Sequence, residues 1–204
     1  MTKLKLYILK ILRFPVRVIS EIKHDEYVRR AFANNAFDGA LTFLGILMGN
    51  LVLDEFNPAV VIKIGLSTCL AIGMSGSFGR FLSERAEKKH ALRQIEKSML
   101  TDLNESMLAR EGENKTLMVS LIDGISPALA LFFPILPFFL ANANFFSVQA
   151  SIILSFILII LVLFGLGAFL GKTSEENALV YGLVTVAVGF FTSLMIFLTS
   201  KYLG

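Results

Sequence analysis

Five predominantly apolar stretches, each about twenty residues long, constrain this chain more than any other feature. They run about 34–53, 58–79, 117–140, 146–171 and 178–200. Roughly twenty helical residues cross a hydrocarbon core of ~30 Å, and inside lipid only helices or closed barrels pair all their backbone polar groups. The run from Ala150 to Phe169 carries no charge at all. Of 204 residues, 55% are hydrophobic and 17% charged, with a mean hydropathy of +0.70. A soluble domain of this size cannot hide that much apolar surface. The pattern excludes a soluble enzyme, a nucleic-acid binder and a disulfide-stapled secreted module, and it predicts an all-α membrane protein. The single cysteine, Cys69, permits no intrachain disulfide and reads as a small hydrophobe.

Charge orients the spans. Of 19 Lys and Arg, eight precede residue 34, eight lie from Arg80 to Lys115, and Lys172 falls between the last two stretches. The opposite connections, Asp54–Asn57 and Ala141–Phe145, hold none. Basic residues collect in cytoplasmic loops, so five spans place the N-terminus in the cytoplasm and the C-terminus on the outer or lumenal side, with the cell membrane as the expected location. The net charge of +3 thus reports topology first. Lys63, near the outer end of the second span, is expected to snorkel outward.

Residues 1–33 form an expected amphipathic segment on the cytoplasmic face. Leu4, Tyr7, Ile8, Ile11 and Leu12 share one helical side, with Lys3, Lys5, Lys10 and Arg13 elsewhere. Such a helix suits the headgroup layer, where anionic lipids attract it. Lys10 and Arg13 interrupt its apolar run, unlike a signal peptide. Residues 34–82 then hold two spans, 83–116 a short helical cytoplasmic segment, and 117–204 three further spans. In the cytoplasmic segment helix formers reach Arg110, and Glu111-Gly112-Glu113-Asn114 reads as a turn. So short a segment buries little core alone and is expected to pack on a partner subunit or on the membrane face.

Ionisable groups inside a bilayer are costly, so each invites a functional reading. Counted from the cytoplasmic ends of their spans at 1.5 Å per residue, Asp38 lies roughly 6 Å deep and Asp123 roughly 9 Å deep. Each precedes a glycine, Gly39 and Gly124, and Met74, Ser75 and Ser77 reach a similar depth on the second span. Carboxylates take hard and borderline divalent cations, while a thioether favours softer transition metals. Two carboxylates in low dielectric also tend to share a proton, which an arriving metal would expel. That exchange is what a proton-driven antiporter requires. The plain alternatives are that Asp38 caps a helix, that Asp123 bonds nearby backbone and that Met74 only packs. Glu84, Glu87 and His90, spaced i, i+3, i+6, form a second candidate metal set, although Arg85, Lys88 and Lys89 intermix with them. Gly73, Gly76 and Gly79 predict close helix approach, and Pro127, Pro134 and Pro137 predict a kinked or interrupted third span.

The run Asn35-Ala-Phe-Asp38-Gly39-Ala-Leu-Thr-Phe-Leu-Gly-Ile-Leu-Met48-Gly49 resembles the first-span signature of the vacuolar iron transporter family, with its Asp-Gly and Met-Gly pairs in register. Ser75-Gly-Ser-Phe-Gly79-Arg80-Phe81-Leu82-Ser83 is similar to the ending of that family's second span, and Pro134-Ile-Leu-Pro137 to its third. The resemblance implies a homodimer of five-helix subunits that export Fe²⁺, and often Mn²⁺, in exchange for protons, with Asp38 in the transport path. This chain departs from the pattern in two places. The family's second-span methionine falls on Gly76 and its glutamate on Arg80. There is also no room for the family's large glutamate-rich metal-binding domain.

The expected function is therefore export of a divalent transition metal, Fe²⁺ or Mn²⁺, by proton antiport. Its partners are the bilayer, the metal ion, protons and a second copy of the chain; no nucleic acid, permanently bound cofactor or enzymatic reaction is expected. Asp38 is the principal ligand, Asp123 a second ligand or proton carrier, and Met48 and Met74 are soft contacts. The rivals are a carrier of a different solute on the same scaffold and a non-transporting membrane scaffold. An intramembrane phospholipid-forming transferase would need an Ala-Arg pair after its Asp-Gly motif, and Ala40-Leu41 stands there instead.

Overall fold

The computed structural model describes residues 25–52, 56–99 and 107–203. Of the amphipathic segment expected over residues 1–33, residues 1–24 lie outside them. Among the described residues the chain is helical, without strands: α1 Glu26–Leu51, α2 Pro58–Met99, α3 Met107–Asn142, α4 Val148–Thr173 and α5 Ala178–Leu203. Polar residues set the helix starts. The Asp25 carboxylate accepts from the amides of Tyr27 and Val28 at 2.9 and 3.3 Å. Asn57, just before Pro58, accepts from Ala59 N at 2.9 Å, and Ser147 and Asn177 cap α4 and α5 in the same way. Each satisfies backbone donors that a helix start leaves unpaired.

Among the described residues, four helices are long and apolar enough to cross a membrane: α2, α3 from Lys115, α4, and α5 as far as Ser200. The first stretch is helical as expected, but α1 is not among those four. Its inner line of Ala33, Ala36, Ala40, Phe43, Leu44, Leu47 and Asn50 is buried. A helix enclosed by protein along such a line need not be apolar all round, and Asn34, Asn35, Asp38 and Asn50 dilute its hydropathy.

One expectation about local structure is corrected and a second is narrowed. The predicted turn at 111–114 is helix, because α3 already begins at Met107. The three prolines do not interrupt α3 either. Each removes only one helical donor, and buried neighbours such as Ile135 and Phe138 hold the helix in place.

The chain divides into two compact units, the first drawn from the described parts of Met1–Phe32 and Ser75–Gly124, the second from Ala33–Met74 and Ile125–Gly204. The first has a small core of Val28, Ala31, Val119 and Ile122. In the second, Phe43, Leu47, Val61, Ile135, Phe138, Ile159 and Leu163 join four helices, and the Phe43 and Phe138 rings meet edge-on at 6.4 Å. The buried line of α4 repeats every fourth residue: Ser151, Ser155, Ile159, Leu163, Gly167, Gly171. Ser155 donates to the Pro134 carbonyl at 2.7 Å, and Thr185 of α5 to the Leu163 carbonyl at 2.8 Å. A Cβ at Gly167 would stand 2.3 Å from Thr185 Oγ1 and 2.5 Å from the Tyr181 carbonyl, so glycine sets the α4–α5 spacing. Gly79, by contrast, faces open space. At this member of the α2 triplet no close approach occurs among the described residues.

Candidate functional site

In the second unit, Asp38 lies on the exposed side of α1, next to buried Gly39 and Ala40. A Cβ at Gly39 would come 2.7 Å from Pro127 Cα and 2.8 Å from the Pro127 carbonyl oxygen. Only glycine lets the two backbones touch there. The Asp-Gly pair thus has a physical meaning: the glycine seats α1 on α3, and the aspartate flanks the contact. Among the described residues no ion pair reaches Asp38. Met48 is ten residues further along α1, roughly 15 Å along the helix axis, and packs half-buried against the core. It does not share a coordination sphere with Asp38. Met74 is 58% exposed.

The first unit holds a connected polar network. Arg80 Nε donates to Asp123 Oδ2 at 2.5 Å, and its Nη1 to the Tyr27 hydroxyl at 3.1 Å. The guanidinium also lies over the Tyr27 ring, 5.5 Å from its centroid. Tyr27 donates its hydroxyl proton to Glu84 Oε1, which stands 4.0 Å from Arg80 Nη1. Lys88 Nζ approaches Glu84 Oε2 at 3.8 Å and donates to Thr116 Oγ1 at 2.8 Å. Lys115 pairs with Asp25 at 2.5 Å. The three cations Arg80, Lys88 and Lys115 thus balance the three carboxylates Asp25, Glu84 and Asp123, and they tie the start of α1 to α2 and α3.

Burial is uneven across this network. The Asp123 side chain is 4% exposed and the Arg80 side chain 32%. Asp123 Oδ1 is buried with no hydrogen-bond partner among the described residues, an uncommon state for a carboxylate oxygen. At the outer groups, the Lys115 hydrogen bond holds the Asp25 carboxyl below its usual range. Burial, followed by the Glu84 contact, pushes the Tyr27 phenol up to about 12. Burial also pulls the Lys88 ammonium down, against the attraction of Glu84.

The residues singled out from the sequence divide accordingly. Asp38, Met48 and Met74 fall in the second unit, and Asp123, Glu84, Glu87 and His90 in the first. Glu84 turns toward Tyr27, whereas Glu87 and His90 are exposed. Among the described residues no group of three or more His, Cys, Asp or Glu gathers to hold a metal ion. Sequence reading missed Tyr27 and Arg80 as partners. The available signal was a cation at the end of one apolar run and an acid a few residues into another, both at the end that the basic residues led one to expect on the cytoplasmic side; intramembrane charges pair with one another.

No family model matches the chain. It is 31% identical over 175 residues to an uncharacterized protein of Methanocaldococcus jannaschii, the alignment covering 84% of this chain and 88% of that protein.

Proposed function

We propose that this chain, which belongs to one family with the Methanocaldococcus jannaschii protein, is a multi-pass carrier that moves a divalent transition metal, Fe²⁺ or Mn²⁺, out of the cytosol in exchange for protons. In this reading α1 is the first of five spans, the N-terminus is cytoplasmic and the working unit is a homodimer. One observation carries it. Asp38 sits exposed beside the Gly39–Pro127 contact, and no ion pair among the described residues reaches it. An unpaired carboxylate on a helix of a membrane bundle is expensive to keep, and binding and releasing a cation is a use that repays the cost. The resemblance of the Asp38-Gly39 and Met48-Gly49 run to the vacuolar iron transporters supports the same reading.

A carrier of a different solute is the second reading, and a specific observation favours it. Arg80 stands where that family has a glutamate, and its guanidinium is bound to Asp123. A cation there repels a metal and attracts an anion.

Uptake of Mn²⁺ and Fe²⁺ into liposomes bearing a pH gradient tests both readings. Gradient-dependent uptake that Asp38→Ala abolishes upholds the metal carrier. A folded protein that moves neither metal overturns it in favour of another solute.

A further inference from the structure

We infer that Arg80 is a tethered cation that occupies the Asp123 carboxylate and sets its selectivity, so that a divalent metal binds Asp123 only by displacing the guanidinium. The inference rests on the carrier reading above and adds a specificity-determining residue to it.

Arg80 and Asp123 meet at 2.5 Å with the carboxylate almost wholly buried. A charge so enclosed requires a positive partner. An arginine cannot leave by losing a proton, because it stays charged at any accessible pH. It must therefore be exchanged for another cation or swing away. The structure gives it somewhere to go. The Tyr27 hydroxyl and ring hold the outer side of the guanidinium, and Glu84 Oε1 stands 4.0 Å from Nη1. A guanidinium released by Asp123 would stay compensated there. Asp123 Oδ1 remains buried without a donor among the described residues, so half of the carboxylate's coordinating capacity is unused while Arg80 is in place. Filling that half with a second cation beside the first would set two like charges together. Only a cation whose attraction to the carboxylate exceeds that of the guanidinium and its own cost of dehydration can take that place, so Arg80 discriminates against weakly held cations.

The test is Mn²⁺ binding to the full chain in detergent micelles at neutral pH, read from loss of the free-ion electron paramagnetic resonance signal. Wild type, Arg80→Gln, Asp123→Asn and the double variant are compared, so that other Mn²⁺ sites cancel in the differences. Arg80→Gln is expected to bind one more Mn²⁺ per chain, with affinity for that ion about tenfold or more above wild type, and the double variant to return to the wild-type count. Equal binding by wild type and Arg80→Gln overturns the inference, as does a gain that survives in the double variant. Should Arg80→Gln fail to give a monodisperse protein, Arg80→Met preserves the packing over Tyr27 and carries the same expectation. Asp38-dependent transport without any gain in Arg80→Gln would remove this inference and leave the carrier reading. Absence of both Mn²⁺ binding and transport in every variant would remove both.

Discussion

Arg80 and Asp123, 43 residues apart in sequence, meet in an ion pair in which the acid is almost fully buried and the base only partly so. That asymmetry predicts unequal costs on truncation. Arg80→Ala leaves a buried carboxylate uncompensated and should destabilise the protein by about 1–3 kcal/mol. Asp123→Asn leaves Arg80 with Tyr27 and Glu84 and should cost less. Replacing both by apolar residues should recover most of the loss, since partners within one network are not additive. Thermal unfolding followed by circular dichroism checks this, and a double variant as unstable as the two singles summed would contradict it.

The contact of Gly39 with Pro127 predicts a sharp contrast between two glycines. In Gly39→Ala the new methyl meets backbone atoms at 2.7 and 2.8 Å, which cannot rotate away. Separating the helices should cost about 1–3 kcal/mol. Gly79→Ala enters open space on α2 and should be neutral or stabilising by up to about 1 kcal/mol, the helix preference for alanine. Equal shifts in the unfolding midpoint of the two variants would show that α1 and α3 do not touch there.

Tyr27 gives the network a signature at high pH. Its phenol titrates at about 12 against an ordinary 10.0, because burial and the Glu84 contact oppose the phenolate. A group whose pKa is raised on folding contributes stability that is fully present below pH 10 and is lost as pH rises through about 12. The chain has four tyrosines, so tyrosinate absorbance should be recorded for wild type and Tyr27→Phe. The difference trace should rise near 12, and a rise near 10 would contradict the structure. At the acid end the sign is reversed. Asp25, held below 3.8 by Lys115, contributes stability that is present above that value and lost as pH falls through its lower folded pKa.

The helices were largely legible because apolar runs of membrane length leave few alternatives, and α2, α4 and α5 begin within two residues of the expected starts. The partners of the ionisable groups were not legible. Asp123 was recognisable as an acid within an apolar run, but finding Arg80 on it needs the relative rotation of α2 and α3, which the composition of neither helix specifies. Glycine spacing was no guide at Gly79 for a related reason: a small residue permits close approach only where a second helix arrives, as at Gly39 and Gly167 and not at Gly79. The Gly112-containing stretch resembled a turn in isolation, yet α3 runs through it, since one glycine costs a helix only about 1 kcal/mol.

Metal carriage through Asp38 is tested most directly by Mn²⁺ uptake into liposomes with an imposed pH gradient, comparing wild type with Asp38→Ala at matched protein incorporation. Wild type should accumulate Mn²⁺ only while the gradient lasts, and Asp38→Ala should fall to the level of empty liposomes with its fold intact. Undiminished uptake by Asp38→Ala, or none by the intact wild type, would contradict the claim that this chain is a proton-coupled metal carrier working through Asp38.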